Sequence, residues 1–277
     1  MRTVGSALLV ILGLLLAAVA GPALWLERNV VDGAGFAQLA GPLGTNSEFQ
    51  EGLSALAADQ ATASMNLPPQ LNELAGALIN SAARSIYTNP GYEVAWTQTL
   101  QRSHKLTFDA AGNQDVQGDL KLDIAPLVEL VAAKVTADLG VPLPTPKEVV
   151  VSLEQPQVAK VLPLASALGG ASGWMAFIAV DLLALGVIVA KRRALSLILG
   201  GAGLAAVALL WQLGSGFAES ALAGLAVGPE VAQQFGVQLG ALARASWQGG
   251  ITATFVIAGV MAAAGVVALI VRGRRTT

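Results

Sequence analysis

Apolar residues crowd into four stretches of this chain and thin out between them. The first runs from Val4 to Leu26, built around ALLVILGLLLAAVA. The second runs from Leu164 or Gly173 to Ala190, the third from Ala194 to Leu213, and the fourth from Ile251 to Val271. A bilayer core about 30 Å thick needs roughly 20 apolar residues in a helix, so each stretch predicts a membrane span. None contains Lys or Arg, and the second alone contains an acid, Asp181.

Between the first two stretches the pattern turns periodic. Asp32 is placed to cap a short helix carrying Phe36 and Leu39, ended by Gly41-Pro42. Asn46 or Ser47 caps the next, with Phe49, Leu53 and Leu56 at helical steps. After Pro68-Pro69 a third helix spans about Gln70 to Tyr87, striped by Leu71, Leu74, Leu78 and Ile79. Asn89-Pro90 opens a fourth, through Val94, Trp96 and Leu100 to about Leu106, with Pro90 at its first position. Ala111-Gly112-Asn113 reads as a turn. Val116 to Ile124 alternates as a strand, and Glu148 to Leu153 reads as a second. They flank a helix from Ala125-Pro126 to Asp138, stopped at Gly140, which predicts a small parallel or mixed sheet. Between spans three and four, Pro229 to Ala245 sets Val231, Phe235, Leu239 and Leu242 at helical spacing. Its sole basic residue is Arg244, which favours packing on the outer domain over lying on the bilayer surface.

Charge orients this pattern. Arg2, the Lys191-Arg192-Arg193 turn, and Arg272, Arg274 and Arg275 share one side if the chain crosses four times. The positive-inside rule then predicts both termini and the turn in the cytoplasm. The expected order is span one (1–26), outer domain (27–163), span two (164–190), turn (191–193), span three (194–213), outer loop (214–250), span four (251–271) and tail (272–277). Ala18-Val19-Ala20 before Gly21 also fits a cleavable signal peptide. The apolar run continues to Leu26 with Trp25 as an interfacial anchor, which favours an uncleaved span. The fold class expected is thus a mainly α membrane protein, four transmembrane helices plus an extracytoplasmic helical domain with a two-stranded sheet.

Composition narrows the function classes. Mean hydropathy is +0.63 and 12% of residues are charged, low for a soluble protein. Residues 27–163 hold 15 acids and 8 bases, net −7, which disfavours nucleic acid as a partner. There is no cysteine, which excludes disulfides, thiolate nucleophiles and Cys-ligated metals. Walker, HExxH, GxSxG and GxGxxG patterns are missing too, so no cofactor or metal is expected.

Two residues stand out as candidates. Asp181 lies ten residues before Lys191, about 15 Å along the helix and so near the bilayer midplane. A carboxylate at that depth costs roughly 2.5–3.5 kcal/mol. It serves either as a proton, ion or partner-helix site, or as a protonated acid hydrogen-bonded across the bundle. Gly13, Gly203 and Gly259 sit near the midplanes of the other spans, where small residues allow close approach. His104, the single histidine, follows Trp96 by eight residues and is placed on its helix face. Its neighbour Ser103 is no catalytic pair for it, since adjacent helix residues do not face each other. A structural role suits His104 better than a base. Asp115, Asp119 and Asp123 recur every four residues but lack the order of a calcium loop.

The chain resembles a group of uncharacterised actinobacterial integral membrane proteins. The likeness rests on Trp25, Val30, Asp32, Phe36, Pro42 and Leu43, then Trp96, His104 and Leu106, then Asp123, Pro126 and Leu127. It implies a cell-envelope setting and brings no catalytic residues. Three functions compete. The first is a non-enzymatic envelope protein whose outer domain binds a protein partner or scaffolds an assembly, a homo-oligomer included. The second is an oligomeric transport or channel component using Asp181. The third is an envelope enzyme built on His104. The first fits best, because about half of the chain lies in the expected outer domain and no catalytic motif occurs.

Overall fold

The computed structural model describes residues 2–64, 69–112, 121–140, 146–152, 156–224 and 230–274. It is mainly helical and divides into two compact units. One comprises Met1–Val31, Leu164–Ala221 and Ala243–Thr277; the other comprises Asp32–Pro163 and Leu222–Leu242.

Among the described residues, four helices that run wholly or mainly through the first unit are long and apolar enough to cross a membrane. Helix α1 is Arg2–Leu26 and runs on into a π-helical turn, Glu27–Val31. Small residues set the spacing between its helices. The long helix Pro156–Val189, numbered α7 in chain order, meets α1 where Gly186 lies under Val10 and the Ser6 hydroxyl donates to the Gly186 carbonyl at 2.7 Å. Helix α8, Arg193–Gly224, meets α1 at Gly203 under Leu14, and Trp211 Nε1 donates to the Ala18 carbonyl. Helix α9, Glu230–Arg274, packs on α8 where Gly201 abuts Ala258 and Ala262. Close backbone approach of this kind lets van der Waals packing hold the helices together. The Trp247 ring lies 6.0 Å from that of Trp25 and 5.3 Å from that of Trp211, and Trp25 Nε1 donates to Ser246.

These apolar helices are longer than the sequence pattern implied. Residues 230–245 are not a separate helix: they are the first part of α9, which continues unbroken to Arg274. Helix α8 likewise continues to Gly224, well past Leu213.

The second unit folds around apolar stripes of short helices. Helix α2 is Gly33–Ala40, capped by Asp32, whose carboxylate accepts the Gly35 N–H at 2.7 Å. A 3₁₀ turn, Gly41–Thr45, leads to α3, Ser47–Ser64, where Asn46 Oδ1 accepts the Phe49 N–H. Helix α4 is Pro69–Ser85, followed by a 3₁₀ turn at Ile86–Thr88. Helix α5 starts at Tyr92 rather than Pro90, because Asn89 Oδ1 takes the Gly91 N–H into a turn first. It runs through Ala111 to Gly112, so the expected turn there is helix up to Gly112. Phe49, Leu53, Ile79, Leu100, Leu127 and Val131 are essentially fully buried in one core. Each such side chain contributes roughly 1.5–3 kcal/mol. Phe235, Leu239 and Leu242 pack on that core, as their spacing predicted. The side chains of Leu56, Leu71, Leu74 and Leu78 and the segment 113–120 lie outside the described residues.

Strand β1 is Lys121–Asp123, helix α6 is Ala125–Leu139, and β2 is Val150–Ser152. Helix α6 ends at Gly140, whose φ of 68° is the left-handed cap its residue type allows. The strands pair antiparallel, not parallel, with Asp123 opposite Val150 and Lys121 opposite Ser152. The reason is local. Asp123 holds both the first turn of α6 and the entry to β2, so the chain returns to the point it left, running the other way.

Candidate functional site

The 3₁₀ turn at Gly41–Thr45 and the turn that opens α5 wall a cleft of about 640 Å³ in the second unit. Its floor is aromatic. Tyr92 donates its hydroxyl to the Gly44 carbonyl at 2.9 Å, and Trp96 Nε1 donates to the Gly41 carbonyl at 3.1 Å. Gln50 Nε2 donates to the same Gly44 carbonyl at 2.7 Å. The Tyr87 hydroxyl donates to the Gln50 carbonyl, 2.7 Å from the Ser54 hydroxyl, and its ring meets that of Tyr92 edge-on at 4.9 Å. Gly44 is buried against Cδ1 and Nε1 of the Trp96 indole, a contact that a Cβ would prevent. The polar atoms of the floor are therefore tied to backbone, and the ring faces are held rigidly. The rim is exposed and offers Pro42, Thr45, Pro90, Glu93 and Thr97. Glu93 is the single charged residue of the lining.

Burial pushes the Tyr87 hydroxyl up to about 12, against a smaller downward pull from its bond with Ser54. Burial, and the neighbouring Tyr87, push Tyr92 further up. Both hydroxyls stay protonated near neutral pH and act as donors, the opposite of what a nucleophile or general base requires. The arrangement suits recognition: rigid aromatic faces under an exposed rim of proline, threonine and one acid.

Of the sequence candidates, His104 lies on α5 with its ring stacked on Phe108, centroids 4.3 Å apart, and tilted against Phe36 at 5.3 Å. It also backs onto Gly33. As expected, it shares a face with Trp96: both rings lean on the stretch from Gly33 to Gly44. Ser103 is buried and fully engaged, donating to Thr99 and accepting the Asp123 N–H at 2.9 Å. Among the described residues no group of three acids or histidines is placed to hold a metal. Asp115 and Asp119 lie outside the described residues.

Asp181 lies on α7 and is exposed on its own unit. Phe177, Ile178, Val180 and Leu185 around it are exposed too. Gly13 faces Leu183 and Gly203 faces Leu14, while Gly259 has open space beside it. Among the described residues Asp181 has no hydrogen-bond partner across the bundle. The cleft itself was missed in the sequence. Its signals were Gly41-Pro42 and Asn89-Pro90-Gly91, which read only as helix punctuation.

Compared with known proteins, the chain matches no family model, no curated protein and no solved structure.

Proposed function

We propose that this is a non-enzymatic, multi-pass protein of the cell envelope whose extracytoplasmic domain docks a protein partner in the cleft over Tyr92 and Trp96. Among the described residues, four helices are long and apolar enough to cross a membrane. The seven basic residues at their ends favour cytoplasmic termini and an outer domain at residues 27–163. The observation that carries the docking role is the cleft, whose volume lies in the range of binding pockets. Its aromatic faces cost little entropy on binding, because their hydroxyl and indole groups are already anchored. A groove lined by aromatic rings fits an extended peptide segment, and Glu93 favours one that carries a basic residue. The net charge of the domain, −7, points to the same kind of partner and away from nucleic acid.

Two experiments test this. The chain has no cysteine, so single-cysteine variants report topology without background. Thr97→Cys is expected to react with a membrane-impermeant maleimide in intact cells, and Arg193→Cys only after permeabilisation. The reverse would overturn the orientation. A photo-crosslinker at Thr97 is expected to trap one discrete protein, and one at Lys134 on α6 to trap none. Equal capture from both positions would remove the cleft from the proposal.

A second reading is favoured by one observation, the exposed Asp181, which has no partner among the described residues. In an oligomer, or beside another membrane protein, that carboxylate serves transport or assembly. Unchanged function in Asp181→Asn would set this reading aside.

A further inference from the structure

At the basic end of the apolar unit, a groove of about 610 Å³ runs between α1 and the start of α8. Lys191 and Arg192 stand at its mouth, with the hydroxyls of Thr3 and Ser196 beside them. Deeper along it the walls become apolar, with Ala7, Ile11 and Leu14 on α1 facing Leu195 and Leu199 on α8. Leu14, the deepest of these on α1, seats against Gly203 and brings α1 and α8 together there. One polar group of the wall is already satisfied, since the buried Ser6 hydroxyl donates to Gly186 on α7. From Thr3 to Leu14 the helix rises about 16 Å. That is close to half of a hydrocarbon core about 30 Å thick. The groove therefore has the polarity gradient and the depth of one lipid leaflet.

We propose that this groove holds one anionic glycerophospholipid, its phosphate at Lys191 and Arg192 and one acyl chain laid along α1. This inference rests on the chain being a membrane protein, not on the cleft of the other unit. The charge complementarity is one-sided: no acid lines the groove, and among the described residues neither cation forms an ion pair. A free phosphate would use the mouth and leave the apolar walls unexplained. Among its described residues a second copy of this chain brings no acidic side chain to the mouth, since Asp181 of its spans lies about 15 Å deeper. Basic pockets between helices at a membrane surface are sites for acidic headgroups.

The test is native mass spectrometry of the full chain in mild detergent, titrated with phosphatidylglycerol or phosphatidylcholine of matched acyl chains. One phosphatidylglycerol per chain is expected to persist where phosphatidylcholine is released. In the Lys191→Ala/Arg192→Ala variant its affinity is expected to fall on the order of thirtyfold, two cations being removed. Ala7→Trp keeps both cations and fills the groove, and is expected to lose both lipids. Helical circular dichroism verifies that each variant is folded. Equal retention of the two lipids, unchanged binding in either variant, or a lipid-free dimer seated on this face would overturn the proposal. Carbonate extraction separates the two failures. A chain released from membranes refutes the membrane reading, whereas a retained chain without lipid preference refutes the groove alone.

Discussion

The carboxylate of Asp123 accepts the backbone N–H of Val149 at 3.1 Å across 26 residues of sequence. The same oxygen accepts the Ala125 N–H at 3.0 Å, and Arg102 stands 3.8 Å from the other oxygen. Asp123 is buried, and its own N–H is taken by Ser103 of α5. One side chain thus ties α5, β1, α6 and β2 to each other. Removing it leaves two backbone donors without an acceptor, and each such loss costs about 1–3 kcal/mol.

Asp123→Ala is therefore expected to cost about 3 kcal/mol of local stability. Asp123→Asn, which keeps one acceptor oxygen, is expected to cost less. Hydrogen exchange of the Val149–Ser152 amides checks both: protection should fall there first and in α1 not at all.

Gly44→Ala is expected to destabilise the cleft floor by about 1–3 kcal/mol, the usual cost of overpacking. The new methyl would press on an indole that is buried and held by Gly41, so it has nowhere to rotate. Thermal unfolding followed by the emission of Trp96 reads the loss. Variants of the other tryptophans, Trp25, Trp174, Trp211 and Trp247, isolate that signal.

Stability should also fall in alkali. Tyr87 keeps its proton to about 12 in the folded state and loses it near 10.0 when exposed. Between those values the unfolded chain binds fewer protons than the folded one, so stability declines as pH rises. The contribution is complete below pH 10 and is lost towards 12, with Tyr92 acting in the same direction. Phenolate absorbance against pH, compared with helical circular dichroism, should show ionisation and unfolding together.

Asp181→Leu is expected to leave the stability of the detergent-purified chain unchanged or slightly raised, because no described residue hydrogen-bonds to Asp181. Insertion should become easier by roughly 2.5–3.5 kcal/mol. A marked fall in melting temperature would show that the carboxylate holds the bundle together.

Much of the architecture follows from local chemistry. Asp32 and Asn46 cap the helices their positions suggested, and Gly140 ends α6 in the left-handed conformation that glycine permits. The four apolar stretches correspond to four long helices, because segment length and hydropathy are additive along the chain. Phe235, Leu239 and Leu242 face a core because their period requires one apolar face.

What sequence alone determined, then, was whatever one segment decides by itself: caps, apolar faces, span-length helices and the clustering of charge. Tertiary structure decided what distant segments settle jointly. The antiparallel sheet depends on Asp123 meeting Val149, a closure that no strand pattern encodes. The cleft needs Gly44 under Trp96 and Tyr92, two segments whose residues read separately as turn and helix stripe. The lipid-sized groove needs Leu14 seated on Gly203, and Asp181 turns outward because Leu183, two residues on, takes the place against Gly13. Such pairings are chosen by packing, where shape and the satisfaction of buried polar groups compete over long loops, and period or propensity carries no record of the winner.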